Sequence, residues 1–245
     1  MKNYNDELKD RNYGDFIFET SYWIIFLAPN QSNIGTCVVA LKRHYGTLDG
    51  LLEEEWLDFA KIVKQLEHSL KKSFKTTMFN WGALMNADYM KNYNDELIDR
   101  NYGDFIFETS YWIIFLAPNQ SNIGTCVVAL KRHYGTLDGL IDDEWLDFAK
   151  IVKQLEHSLK KSFKTTMFNW GALMNADYMK ENPDPHIHWH FIPRYKHKVE
   201  FEGLVFEDEY FGSMRPRPIR EISEDIRKKI IETIKREAFG VEKRS

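Results

Sequence analysis

Apolar and polar positions follow two different periods along this chain. From Asp104 to Ala117 and from Thr125 to Leu130, Phe, Ile, Val, Tyr and Trp crowd together, and both stretches are predicted as strands. The run Pro118-Asn119-Gln120-Ser121-Asn122-Ile123-Gly124 between them carries turn residues. The period then lengthens. Ile141, Trp145, Phe148, Val152, Leu155 and Leu159 step by four, three, four, three and four, one apolar stripe of an amphipathic helix. Asp142, Asp143 and Glu144 at its start and Lys160 and Lys161 at its end suit the helix dipole. Thr165–Leu173 is predicted as another strand, and Asn175–Pro185 as a loop closed by Pro183 and Pro185. Glu221–Phe239 closes the order as a helix, with Ser223 as N-cap, Ile226, Ile230 and Ile234 as its stripe, and Gly240 as its stop. Strand, strand, helix, strand, strand implies the α+β class, built on an antiparallel sheet.

The same pattern occurs twice. Residues 1–91 recur as 90–180, displaced by 89 positions (His44 to His133, 133 − 44 = 89). Only Lys9/Ile98, Leu52/Ile141, Glu53/Asp142 and Glu54/Asp143 differ. Met-Lys stands at 1–2, 90–91 and 179–180, the scar left by a tandem duplication that recombined at a short identity, or by an error of assembly. Two long units do not make a solenoid. Residues 181–245 occur once, so the expected division is an incomplete copy at 1–89 and a complete domain at 90–245. For the single tail to serve the first copy, it must loop out about 89 residues, at a closure cost on the order of 4 kcal/mol. The second copy is therefore expected to build the functional domain.

The chemistry-bearing motif lies in the unrepeated part. His186-Ile187-His188-Trp189-His190 places a histidine at every second position, so in a strand the three imidazoles share one face. Ile187, Trp189 and Phe191 share the other, where Trp189 is expected to pack in the core. Aligned imidazoles can bind, attack and protonate a phosphate. A metal site is the alternative. The outer two stand about 13 Å apart along a strand, against zinc–nitrogen bonds of about 2.0–2.1 Å, so gripping one ion with all three needs both outer side chains stretched inward.

Gly124-Thr125-Cys126-Val127-Val128, Lys131-Arg132-His133, a helix, Asn169-Trp170-Gly171, and then His-x-His-x-His with Pro193-Arg194 together resemble the histidine triad (HIT) family. The similarity covers roughly residues 104–195, and 15–89 in truncated form. The resemblance implies a nucleotide hydrolase or nucleotidyl transferase acting on an α-phosphate, such as that of a dinucleoside polyphosphate or a phosphoramidate. By that resemblance His188 is the nucleophile that forms a nucleotidyl-histidine intermediate. His190 donates to the phosphoryl oxygens, best as a cation, and His186 holds the geometry around them. Asn169 contacts phosphate or leaving group, and Asn119 lies in the turn where relatives bind ribose. Two positions depart from the family pattern: Thr125 stands where a histidine is common, and Pro183 where Ser or Thr is frequent. Asp184 or water is then left to protonate the leaving group. No metal or cofactor is called for, and the Cys-x-x-Cys of zinc-binding relatives is absent. A nucleotide-binding module with little turnover, and a histidine metal binder, stand as the competing readings.

Composition narrows the picture further. The chain is 43% hydrophobic and 15% aromatic, enough for a real core, and its net charge of −4 argues against a specific nucleic-acid partner. Its two cysteines, Cys37 and Cys126, are one repeated residue and no disulfide framework. Without an apolar leader or a spanning run, the expectation is a cytoplasmic protein with no membrane partner. HIT proteins commonly form twofold dimers with a continuous sheet. The expected assembly is thus a homodimer, or an intrachain pseudo-dimer in which the first copy docks on the second. The rival is a first copy left partly unfolded.

Overall fold

A computed structural model describes residues 13–83, 102–173, 178–213, 215 and 217–239. Among these residues it is a mixed α+β structure with antiparallel sheets and three long helices. The first copy supplies β1 (Asp15–Glu19), β2 (Trp23–Leu27), β3 (Cys37–Leu41), α1 (Glu53–Phe74) and β4 (Trp81–Ala83). The second supplies β5 (Asp104–Glu108), β6 (Trp112–Leu116), β7 (Cys126–Leu130), α2 (Asp142–Phe163) and β8 (Met167–Ala172). The unrepeated tail adds β9 (His188–Arg194), the hairpin β10 (Val199–Phe201) and β11 (Leu204–Phe206), and α3 (Glu224–Phe239). Gly240 and residues 174–177 lie outside the described residues.

One expected strand is in fact a hairpin. Asp104–Ala117 folds back at Thr109, whose N–H donates to the Trp112 carbonyl and whose hydroxyl oxygen accepts from the Trp112 N–H. The turn carries no Gly or Pro, so its signal is two small polar residues inside an aromatic run. The β10–β11 hairpin was likewise not visible in the pattern. The helix runs as expected. Glu144 accepts from the Ile141 N–H and pairs with Arg132, closing the first turn of α2.

The main sheet has the order β4-β8-β9-β7-β6-β5. Its α2 face is apolar. Trp189 stacks on Phe148 at 4.9 Å, Trp170 lies 4.3 Å from Phe191, and Phe148 also meets Trp112 and Trp145. These rings are buried, and they are the centre of one core cluster that includes side chains from both copies.

Contacts between the copies are reciprocal. Gly82 of β4 pairs with Gly171 of β8, its own counterpart 89 residues on. Lys71 meets Asp138 and Lys160 meets Asp49, again counterparts. Trp56 packs edge-on against Phe148, and Phe59 against Trp145, both at 5.8 Å. A surface that meets its own copy with partners exchanged is isologous. Buried within it, Glu67 accepts from Trp81 Nε1 and Glu156 from Trp170 Nε1. Burial raises both carboxyls to about 7; the neighbouring Asp138 and Asp49 add to the rise, and the indole bonds oppose it.

Candidate functional site

The tail enters the second copy between β7 and β8. β9 pairs antiparallel with β7 through Ala129↔His188 and Val127↔His190, and with β8 through Gly171↔His190 and Asn169↔Ile192. Cross-strand partners share a face, so Val127, Ala129, Gly171 and Asn169 lie on the histidine side of the sheet. His186 and Ile187 precede the strand. The Ile187 N–H donates to the Tyr134 carbonyl, and His186 Nε2 lies 2.7 Å from the Leu130 carbonyl. The His186 ring therefore ties the tail's approach to the end of β7.

His188 Nδ1 lies 2.8 Å from the His186 carbonyl. A carbonyl only accepts, so Nδ1 carries the proton, and in the neutral ring Nε2 keeps the lone pair. Both His188 and His190 are buried, with ring centroids 5.0 Å apart. The ring of Tyr102 lies 5.2 Å from that of His188. Burial, helped by His188 and Arg217, pushes the His190 imidazole down to about 3. His190 is therefore neutral here, not the cation expected from the sequence, because a buried charge has no water to stabilise it. Its Nε2 has no hydrogen-bond partner among the described residues.

The remaining candidates are placed as follows. Asn169 is buried on the histidine face, beyond His190; with its amide oriented to satisfy both ends, its oxygen accepts from Arg194 at 3.1 Å. Asn119 accepts from the Arg220 and Ser121 N–H groups and so holds the returning tail. The Thr125 hydroxyl donates to the Asn122 carbonyl at 2.6 Å. Asp184 and His133 meet at 3.0 Å at the exposed edge of the site, and the His133 ring lies 5.2 Å from that of His186. Trp189 is on the core side, as its alternation predicts.

Arg217 comes from the basic run of Arg215, Arg217 and Arg220, which the sequence marks chiefly as a solvated loop with one arginine able to meet a polyphosphate tail. Arg194 pairs with Asp208 and donates to the Tyr210 and Ser213 carbonyls, which turns the tail back across the sheet. That return sets Arg217 3.5 Å from Asn122 and close enough to His190 to depress its pKa. A cleft of about 370 Å³ opens beside it, lined among others by Asn122, Arg220 and the acidic Glu207, Asp208 and Glu209, and by none of the triad histidines. Only the run of arginines at 215–220 hinted at this in the sequence. Among the described residues no three His, Cys, Asp or Glu side chains converge as a metal site. No helix among them is long and apolar enough to cross a membrane.

A central antiparallel strand with alternating buried imidazoles, backed by an amphipathic helix, defines a histidine-triad domain. The HIT domain family model matches residues 99–197. An uncharacterized HIT-like protein of Methanocaldococcus jannaschii is 30% identical over 122 residues, 50% of this chain and 87% of the relative. The chain belongs to the HIT family. In fold, it is similar to a uridylyltransferase (TM-score 0.54, 14% identity, 94% of this chain and 81% of that one). It is also similar to an ADP-glucose phosphorylase from Arabidopsis thaliana solved with bound ADP-glucose (TM-score 0.58, 12% identity, 91% and 88%). These two likenesses span both copies.

Proposed function

We propose that the chain is a hydrolase or nucleotidyl transferase that attacks the α-phosphate of a nucleoside 5′-phosphate derivative. The observation that carries this reading is His188 Nδ1 held 2.8 Å from the His186 carbonyl, which in the neutral ring directs the lone pair of Nε2 to phosphorus. Attack forms the Nε2–P bond and releases the leaving group from the same phosphorus. Water, or an acceptor hydroxyl or phosphate, then takes the nucleotidyl group and regenerates the imidazole. His190, neutral, donates a hydrogen bond to the phosphoryl oxygens and needs no prior protonation. The His133–Asp184 pair is our candidate for delivering the leaving group's proton. We assign Asn169 to the phosphate side of the site and Asn119 to holding the returning tail.

Membership of the HIT family supports the reading, as do the activities named for the two solved structures above. Nucleotide sugars therefore join dinucleoside polyphosphates and phosphoramidates as substrates to assay. We read 90–245 as the complete unit and 1–89 as an incomplete copy docked on it, an intrachain pseudo-dimer supported by the reciprocal contacts. Thr125 and Pro183 favour one second reading, a nucleotide-binding module with little turnover, because neither residue supplies a titrating group. Incubation with these substrates decides between the two. Nucleotide release supports the enzyme, whereas binding of AMP without release supports the module.

A further inference from the structure

The first copy has counterparts of the two strands that flank the histidine strand, but not that strand. In the second copy β9 lies between β7 and β8. Their counterparts in the first copy are β3 and β4. Among the described residues nothing pairs with the outer edge of either: β3 ends the sheet β1-β2-β3, and β4 ends the main sheet. β4 is also shorter, three residues against six in β8, as expected of a strand that lacks its second neighbour. The side chains agree. Ile34 is 72% exposed where its counterpart Ile123 is fully buried, Phe74 is 54% exposed against 4% for Phe163, and Ile17 is 42% exposed against 0% for Ile106.

The structure also shows what covers those positions. Tyr195 donates to the Ile123 carbonyl, Phe201 packs edge-on against Phe163, and α3 lies against α2 and β5. These covering groups belong to the tail. Because the groove sequences are identical (37–41 with 126–130, and 78–83 with 167–172), the open groove is complementary to the same segment.

We infer that the β3–β4 groove of the first copy is an acceptor site for a second histidine-strand segment, residues 181–239 of another molecule of this chain, added in register between the two strands. Recognition combines ladder hydrogen bonds along both groove edges with the alternating Trp189 and Phe191 side chains, as in strand addition generally. Two fully folded molecules gain nothing by exchange, since each groove filled opens another. The donor is a chain whose segment has not yet seated in its own sheet. A filled first copy acquires the triad its own sequence lacks.

Cys37 reports the event. It is half-buried on β3, while its counterpart Cys126, which pairs with Phe191 of β9, is buried. The test adds residues 181–239, as a separate polypeptide, to the full chain and follows the rate of Cys37 thiol modification. With the segment at about ten times its Kd, the rate falls about tenfold, with a one-to-one complex by native mass spectrometry. A segment carrying Phe191→Asp, which buries a carboxylate on the core side, gives no protection. Three results overturn the inference: an unchanged Cys37 rate, a segment that enters the complex without protecting Cys37, and equal protection by the Phe191→Asp segment.

Discussion

Replacing Glu156 with Gln makes the chain more stable as pH rises. Glu156 is fully buried between the copies, and its carboxyl is raised from 4.5 to about 7, first by burial and then by Asp49. A raised carboxyl binds its proton more tightly when folded, so its stabilising effect is complete below pH 4.5 and is lost as pH climbs through about 7. A gap of about 2.5 units at 1.36 kcal/mol each makes the loss about 3 kcal/mol at its limit. Gln keeps the acceptor for Trp170 Nε1 and mimics the protonated acid at every pH. The substitution should change little at pH 4, stabilise by about 1 kcal/mol at pH 5, and approach its limit of about 3 kcal/mol by pH 7. Urea unfolding of both proteins at matched pH measures this, since buried side chains of both copies share one core. A difference that does not vary with pH, or a Gln variant less stable at pH 7, would refute the argument.

Other outcomes follow from the same geometry. Phe148→Ala should cost about 3–5 kcal/mol, since that ring contacts five tryptophans, while Phe59→Ala at the less buried counterpart should cost clearly less; thermal melts of the two variants would show whether the asymmetry is real. His190 titrates with the opposite sign to Glu156. Its depressed pKa lends stability above about 6.5 that drains away as pH falls toward about 3, so His190→Asn should flatten the acid limb of the stability profile. Because neutral His190 is the working form, kcat should not decline between pH 6 and 8 through its deprotonation, and a drop there that vanishes in His190→Asn would contradict the assignment. Arg217→Ala should raise KM more than it lowers kcat, and an unchanged KM would separate this arginine from the substrate.

The site was legible where it depended on local period. Alternation puts His188 and His190 on one face and Trp189 on the other, because a strand's pleat requires it, whereas His186 lies ahead of the strand and is held by the Leu130 carbonyl instead. The helix stripe was equally readable, since Ile141 to Leu159 repeat at helical spacing whatever they pack against. What could not be read depended on distant partners. Arg217 reaches His190 only because Arg194 and Asp208 turn the tail back, and no spacing in the sequence encodes that meeting. Asn119 is spent on the same tail. The lowered pKa of His190 depends on such partners too: its burial is produced by strands from elsewhere in the chain. The Thr109 turn was hidden because its hydroxyl does the work usually left to Gly or Asn. The pairing of β4 with β8 joins two identical segments, and identity in sequence does not announce contact.

The measurement that tests the central claim most directly is intact-mass detection of a nucleotidyl adduct. The full chain and His188→Ala are mixed with diadenosine polyphosphate, adenosine 5′-phosphoramidate or ADP-glucose, with and without chelator, and quenched within the first turnover. The account predicts an added nucleotidyl mass on the native chain, mapped to the peptide containing His188, with nucleotide release that the substitution abolishes. Release that persists in His188→Ala, or an adduct mapped to any other residue, would contradict it.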